Sequence, residues 1–165
     1  PKGLTNLANG KRVTSSDGLP VIGDLQYITD GDKAASDGSY VELGPQKQWV
    51  QVDLEQQTEI HGIWLWHFHK NARVYGDVIA QISHDENFSA NSVVTVYNSD
   101  HDNSCGLGQG SDPSYVETNG GRVINARATE GRYLRFYSNG NTSNEMNHYI
   151  EIEVWGRAPQ LASAS

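Results

Sequence analysis

The sequence has little cysteine, no long apolar run and no cluster of positive charge. Cys105 is the single cysteine among 165 residues, which excludes an intramolecular disulfide and a zinc-finger spacing. The longest apolar run, Ile63 to Trp66, is far shorter than the roughly 18–20 residues that a membrane-spanning helix needs. We therefore expect a water-soluble chain whose compartment must be inferred from other features.

The charge balance bears on the kind of partner. The chain has 12 Lys and Arg against 20 Asp and Glu, a formal net charge of −8, and its basic residues are scattered. Nucleic-acid binding depends on basic side chains that neutralise phosphates, so we expect no nucleic-acid partner. The same charge argues against an anionic membrane surface, which requires basic residues at the loop tips.

Short segments of strict alternation dominate the remaining pattern. Val50, Val52 and Leu54 would share one face of a strand and Gln51 and Asp53 the other, as in a half-buried strand. No stretch shows the apolar stripe of a helix with a repeat of 3.6 residues. We therefore predict an all-β domain over residues 1–156, followed by a linker or disordered tail at 157–165. Strand-like segments are 49–54, 60–68, 77–83, 93–97, 133–137 and 150–154.

Three segments between these strands are long and rich in Gly, Asn, Asp and Ser. They are Asp24 to Lys47, Ser99 to Val116 and Ser138 to Asn147. Loops beyond about 12–15 residues in a compact domain are usually functional or disordered. We predict that these loops carry the function.

Six short motifs follow one another in a characteristic order between residues 6 and 156. In that order they resemble the discoidin-like domains, also called coagulation-factor type C domains, which include many galactose-binding-like carbohydrate-binding modules. The resemblance implies an eight-stranded antiparallel jelly-roll β-sandwich, in agreement with the alternation pattern. The motifs are Asn6-Leu7-Ala8 with Gly10-Lys11, Ile28-Thr29-Asp30-Gly31-Asp32, Trp49 to Leu54, Gln81 to Asp85, Arg132 to Arg135, and Ile150 to Gly156.

The resemblance also implies a structural Ca²⁺ ion. By position in the family pattern, its ligands would be the side chains of Asp30, Asp32, Ser36 and Glu151, together with the carbonyl of Tyr27. Calcium takes six to eight hard oxygen ligands, which carboxylates, hydroxyls and carbonyls supply. From spacing alone, Asp30-Gly31-Asp32 fits an ordinary Asp-Gly turn equally well, and this alternative stays open. The segment after it is longer than the family pattern, so the loop ligands could shift by one or two positions.

The resemblance places a sugar site on the loops at the end of the domain opposite the termini. Sugar hydroxyls need donors and acceptors in fixed places, while the C–H face of the ring packs on an aromatic side chain. Arg73 at this rim would favour an acidic sugar. The Asn residues could instead hold their own turn. The predicted ligand-binding residues are His67, His69, Arg73, Tyr75, His101, Asn139, Asn141 and Asn144.

The sequence therefore predicts a non-catalytic carbohydrate-binding module with a structural calcium ion. We expect it to be secreted or at the cell surface, and to hold an attached larger protein near a glycan. No nucleophile elbow, zinc-protease motif or phosphate loop is present, so we predict no enzyme activity.

Two alternatives remain at this point. His67, His69 and His101, with Cys105, could bind a transition metal or haem if the middle loop folds over them. A discoidin domain of this kind could also bind a protein. The large aromatic Trp64 is predicted to lie in the core.

Overall fold

The computed structural model describes residues 3–34 and 39–158, and these residues form nine β-strands and two short 3₁₀-helices. No helix within these ranges is long and apolar enough to cross a membrane. The strands are β1 (Thr5–Asn6), β2 (Val13–Ser15), β3 (Val41–Leu43), β4 (Lys47–Trp66), β5 (Ile79–Ser83), β6 (Val93–Asn98), β7 (Arg122–Asn139), β8 (Asn147–Tyr149) and β9 (Glu151–Arg157). The 3₁₀-helices are Leu25–Thr29 and Ala90–Ser92.

All strand pairs are antiparallel, and two long strands connect the layers. The main sheet has the order β1-β9-β4-β7-β5-β6, with β2 on β4, and β3 pairs with β8 separately. The β4/β7 register shifts between Asp53 and Thr58, so that each strand has two halves. The first half of β4 pairs with β2 and the second half pairs with β9. This arrangement confirms the predicted all-β sandwich.

One apolar cluster fills the space between the two halves. Val50 and Val52 from the first half of β4 lie in the same buried cluster as Ile63 and Leu65 from its second half. These positions alternate with outward-facing ones, as the period of two requires. Burial of this cluster is the main stabilising contribution to the fold.

The position of Trp64 corrects an expectation from the sequence. Trp64 is 37% exposed, whereas Ile63 and Leu65 on either side of it are fully or almost fully buried. The indole lies on the outer face of β4, stacked on Trp66 at 5.6 Å between ring centroids. Alternation assigns Trp64 and Trp66 to one face of β4 without saying which face is inside. In the structure Trp66 is covered and Trp64 is not.

The strand registers bring four connections to one end of the molecule. Tyr149 contacts residues at both ends of β4: its hydroxyl lies 3.1 Å from Oγ of Ser138, which pairs with Gln48, and its ring centre lies 5.1 Å from that of His67. Both ends of β4 therefore lie at this loop end. The opposite end carries the pairing of Glu59 with Arg157 at the close of β9. The segments 67–78, 99–121 and 140–146, together with the segment before β4, therefore gather at the loop end. Strand β9 runs through Arg157, and residues 159–165 of the predicted tail lie outside the described ranges.

Candidate ligand-binding site

Two open grooves lie side by side at the loop end. The larger has a volume of about 490 Å³, and the smaller has about 430 Å³. Asn139 and Asn141 line both grooves and form the ridge between them. The larger groove is lined by Val74, Tyr75, Gly76, Asp77, Ser99, His101, Asp102, Ser114, Asn139, Asn141 and Thr142.

Four of the eight predicted ligand-binding residues meet in the larger groove. They are Tyr75, His101, Asn139 and Asn141, which come from three segments far apart in sequence. The loop after β7 is held by its own asparagines. The Asn141 amide donates to Asn144 Oδ1 at 3.0 Å and to the Met146 carbonyl at 2.9 Å, and its carbonyl accepts from two backbone N–H groups. Asn141 and Asn144 therefore hold the turn, and Asn144 lines only the smaller groove.

The middle loop closes one side of the larger groove. Asp100 is fully buried and accepts from the backbone N–H groups of Ser104 and Cys105 at 3.0 and 2.8 Å. These bonds fix the turn that presents the exposed His101 and Asp102. The His101 ring bonds through Nε2 to the Asp112 carbonyl at 2.6 Å, which orients its other nitrogen.

Two of the predicted residues, His67 and Tyr75, are buried behind the surface of the groove. His67 is 0% exposed, and its Nδ1 contacts Glu117 Oε2 at 2.9 Å. Tyr75 is 2% exposed and shares a hydrogen bond of 2.8 Å with His148 Nδ1. Burial raises the pKa of the Tyr75 phenol far above its ordinary value. In this arrangement the His67 imidazole supports the groove from inside and makes no surface available to a sugar.

Arg73 also differs from the expectation of a rim residue. It is 7% exposed, and its guanidinium lies 4.9 Å from the centre of the Phe68 ring. Its Nε donates to the Asn71 carbonyl at 3.2 Å. His69 is also away from the grooves, since its Nε2 bonds to the Lys33 carbonyl at 3.1 Å. Neither residue lines the larger or the smaller groove.

The histidines and the cysteine of the transition-metal alternative do not converge in residues 3–34 and 39–158. His67, His69 and His101 each contact a different partner, namely Glu117, Lys33 and Asp112. The one group of potential metal ligands found in these ranges is Asp77, Asp100 and Cys105, and it contains no histidine. Burial and the two carboxylates raise the pKa of the Cys105 thiol to about 12. The arrangement contradicts the imidazole–thiolate hypothesis.

The predicted calcium loop lies against the start of β9. Glu151 is 0% exposed, and its Oε2 accepts from the Gly31 N–H at 2.8 Å. Its other oxygen, Oε1, is buried and has no hydrogen-bond partner among residues 3–34 and 39–158. Burial and the nearby Asp30 raise the pKa of Glu151 to about 9. A buried carboxylate with an unsatisfied oxygen beside a second carboxylate is a site that suits a cation.

The other predicted calcium ligands are placed as follows. The Tyr27 carbonyl accepts from the Asp30 N–H at 3.4 Å, so it lies beside that residue. Asp32 Oδ1 accepts from the Ala34 N–H at 3.0 Å, which is the ordinary Asp turn anticipated as an alternative. Ser36 lies outside the described residues.

Sequence reasoning missed five polar residues of the larger groove. Asp77 and Ser99 lie at the ends of β5 and β6, and Asp102, Ser114 and Thr142 lie in long loops already expected to be functional. For Asp102, Ser114 and Thr142, a position in one of those loops could have identified them as candidates. Their convergence depends on the strand register, which a single sequence does not reveal.

Comparisons with known proteins bear on the fold. The sequence matches no protein-family model, and no curated protein is similar to it. Solved structures are similar at low sequence identity. The CBM32 of AlyQ in complex with 4,5-unsaturated mannuronic acid has a TM-score of 0.59 and 17% identity, and the match covers 87% of this chain and 92% of that one.

Two further similar structures are a chitosan-binding module and a fucose binding module. Chitosan-binding module 1 of a chitosanase/glucanase from Paenibacillus sp. IK-5 has a TM-score of 0.63 and 19% identity, covering 92% of this chain and 99% of that one. A fucose binding module of Streptococcus pneumoniae has a TM-score of 0.63 and 17% identity, covering 94% and 97%. These similarities confirm the predicted discoidin-like, galactose-binding-like fold.

Proposed function

We propose that this chain is a non-catalytic carbohydrate-binding module that binds a glycan in the two grooves at its loop end. The observation that carries the proposal is the larger groove, an open cleft of about 490 Å³ lined mainly by short polar side chains. Similar structures include carbohydrate-binding modules, which supports the same conclusion. Fold alone does not determine function, so the groove chemistry is the main argument.

The groove offers the groups that sugar hydroxyls require. His101 and Ser114 are exposed, and Asn139 and Thr142 add an amide and a hydroxyl. Together they provide donors and acceptors from three separate segments, which fixes the orientation of a ring. A shallow polar site of this kind replaces sugar–water hydrogen bonds with protein–sugar bonds of similar strength.

Aromatic stacking contributes little at this groove. The one aromatic side chain that lines it, Tyr75, is almost fully buried. Two aromatic side chains outside the groove pack on other rings instead. Tyr40 packs on Phe68 at 4.9 Å between ring centroids, and Trp66 stacks on Trp64. We therefore expect weak binding by one module and a large gain from multivalency, when several modules contact one polysaccharide. This mode suits a secreted or surface protein in which the module holds a larger attached protein near a glycan.

The test fills the groove without removing any hydrogen bond that the structure shows. Ser114→Tyr places a large side chain at an exposed position of the larger groove. The matched control is Glu130→Tyr, an exposed position on β7 at the opposite end. Both variants should keep the wild-type melting temperature. On a glycan array and by titration calorimetry, Ser114→Tyr should lose binding and Glu130→Tyr should retain it; equal binding by the two variants would move the site elsewhere.

A structural calcium ion at the Asp30–Glu151 cluster is the second part of this proposal. Asp30, Glu151 and the Tyr27 carbonyl would supply hard oxygens, and the unsatisfied Glu151 Oε1 supports the fit. When bound, the ion would neutralise the buried carboxylate and join the loop after the first 3₁₀-helix to β9. Lys33, which pairs with Glu153 at 2.8 Å, already neutralises the next carboxylate along the strand.

A further inference from the structure

The two grooves at the loop end have a one-sided charge. The larger contains Asp77 and Asp102, and the smaller contains Glu145. Within the part of the chain that the structure describes, no lysine or arginine lines either groove. The arginine expected to select an acidic sugar, Arg73, is buried on Phe68 outside both grooves. The charge at the site is therefore the opposite of what an anionic ligand requires.

Asp77 is held rigidly at the wall of the larger groove. Its Oδ2 accepts from Ser104 Oγ at 2.8 Å and from the Asn139 amide at 3.3 Å. It lies just before β5 with a φ of 52°, a conformation that L-residues rarely adopt. The residue is half-buried, so its carboxylate is partly withdrawn from water and less screened than a fully exposed one.

Asp102 lies across the middle loop on the same wall. It is exposed, and its Oδ1 accepts from the Ser104 N–H at 3.1 Å. Ser104 thus bonds to both groove carboxylates, through its hydroxyl to Asp77 and through its backbone to Asp102.

A lysine of the neighbouring β4, Lys47, bonds to the main chain of the middle loop. Lys47 Nζ donates to the Cys105 carbonyl at 3.0 Å and lines neither groove. His101 is the single titratable base among the lining residues of the larger groove, and it is tied to the Asp112 carbonyl. A cation from the ligand would therefore meet two oriented carboxylates, with hydroxyl-binding groups a short distance away.

Building on the proposed carbohydrate function, we infer that the ligand is an amino sugar with a free ammonium group, held by Asp77 and Asp102 in the larger groove. Asn139, Ser114 and Thr142 then bind the hydroxyls of the same or the adjoining unit. Charge-assisted hydrogen bonds are about twice as strong as neutral ones, which gives the ammonium group its advantage over an acetamido group. A uronic acid is rejected because its carboxylate would lie beside two like charges.

The experiment compares three oligosaccharides of equal length by titration calorimetry at mildly acidic pH. They are oligomers of glucosamine, of N-acetylglucosamine and of a uronic acid. Wild-type protein should bind the glucosamine oligomer about tenfold more tightly than the acetylated one, the factor that about 1.4 kcal/mol produces, and should not bind the uronic acid detectably. Added salt should weaken the first interaction more than the second.

Two variants and one control assign the effect to the carboxylates. Asp102→Asn and Asp77→Asn should each bring the ratio of the affinities for the glucosamine and acetylated oligomers close to one. Both variants should still bind the acetylated oligomer. Asp102 is exposed, so its variant remains informative if Asp77→Asn fails to fold. Glu130→Gln removes the same charge at the opposite end and should bind like wild type.

The outcomes separate this inference from the proposed function. Equal affinity for the glucosamine and acetylated oligomers, or tighter binding of the uronic acid, overturns the amino-sugar inference and leaves a carbohydrate-binding module. Absence of binding to every sugar on an array overturns both. If Ca²⁺ displaces the glucosamine oligomer from wild type, and Asp102→Asn abolishes binding of that ion, the carboxylates hold a metal and the inference is wrong.

Discussion

Glu151→Gln tests the calcium proposal with a nearly isosteric change. The variant removes the negative charge of a side chain that is 0% exposed and keeps an amide oxygen that can accept from the Gly31 N–H. In EDTA, wild type must bury a carboxyl group whose pKa burial raises to about 9, whereas Gln carries no charge. We therefore expect the variant in EDTA to melt within a few degrees of wild type or above it.

Calcium should raise the melting temperature of wild type much more than that of Glu151→Gln. An ion that binds only the native state stabilises it by about 2.7 kcal/mol at a concentration of 100 times its Kd. For a domain of this size each kcal/mol shifts the melting temperature by about 2–4 °C, so wild type should gain about 5–11 °C. The variant lacks a charged ligand and should gain less than about 2 °C under the same conditions.

The assay is a melting curve followed by circular dichroism, in EDTA and across a calcium titration. Glu130→Gln, which removes an exposed charge at the other end, should respond to calcium like wild type. Magnesium in place of calcium should give a smaller shift, because it prefers a rigid octahedral site. Identical wild-type curves in EDTA and calcium, or a full calcium response in Glu151→Gln, would refute the reasoning.

Three further predictions concern the interior. Burial raises the pKa of Cys105 to about 12, and the thiolate is the nucleophile that a thiol reagent needs. Cys105 should therefore resist the reagent at pH 8 in native protein and react once urea unfolds the chain. Rapid labelling of folded protein would contradict its burial. Glu117→Ala should cost about 3 kcal/mol in urea unfolding, because it leaves the buried His67 ring and its backbone N–H without their partner; a cost below about 1 kcal/mol would show that water replaces the carboxylate. Gly121→Ala should cost about 1–3 kcal/mol, since a Cβ there would lie 2.7 Å from the Trp66 ring and φ is +69°; an unchanged unfolding midpoint would mean that the indole moves freely.

Packing in the interior explains why only some of the predicted rim residues line the grooves. Residues at a strand end, such as His67, were expected at the surface because they carry polar groups. Glu117, from a loop fifty positions away, enters the interior and pairs with Nδ1 of that ring, so the polar side chain can be buried. Arg73 is similar, because Phe68 offers its guanidinium an aromatic face away from the groove.

The sequence by itself determined the class of fold and the inner faces of its strands. Alternation at Val50, Val52 and Leu54 identified buried positions correctly, because a strand has a period of two and one face must be apolar. The order of six motifs pointed to the discoidin-like fold, which the similar structures confirm. Long loops rich in Gly, Asn and Asp marked the segments that line the grooves, since such residues stabilise turns locally.

Only the tertiary structure decided which side chains meet. Asp77, Asp102 and Asn139 are brought to one groove by the β4/β7 and β5/β7 registers, and these pairings join residues fifty or more positions apart. Alternation also left open whether the face of Trp64 or that of Leu65 is inside, because both are apolar. Local pattern depends on neighbours in the chain, whereas the composition and charge of a binding groove depend on contacts that form when distant loops pack together.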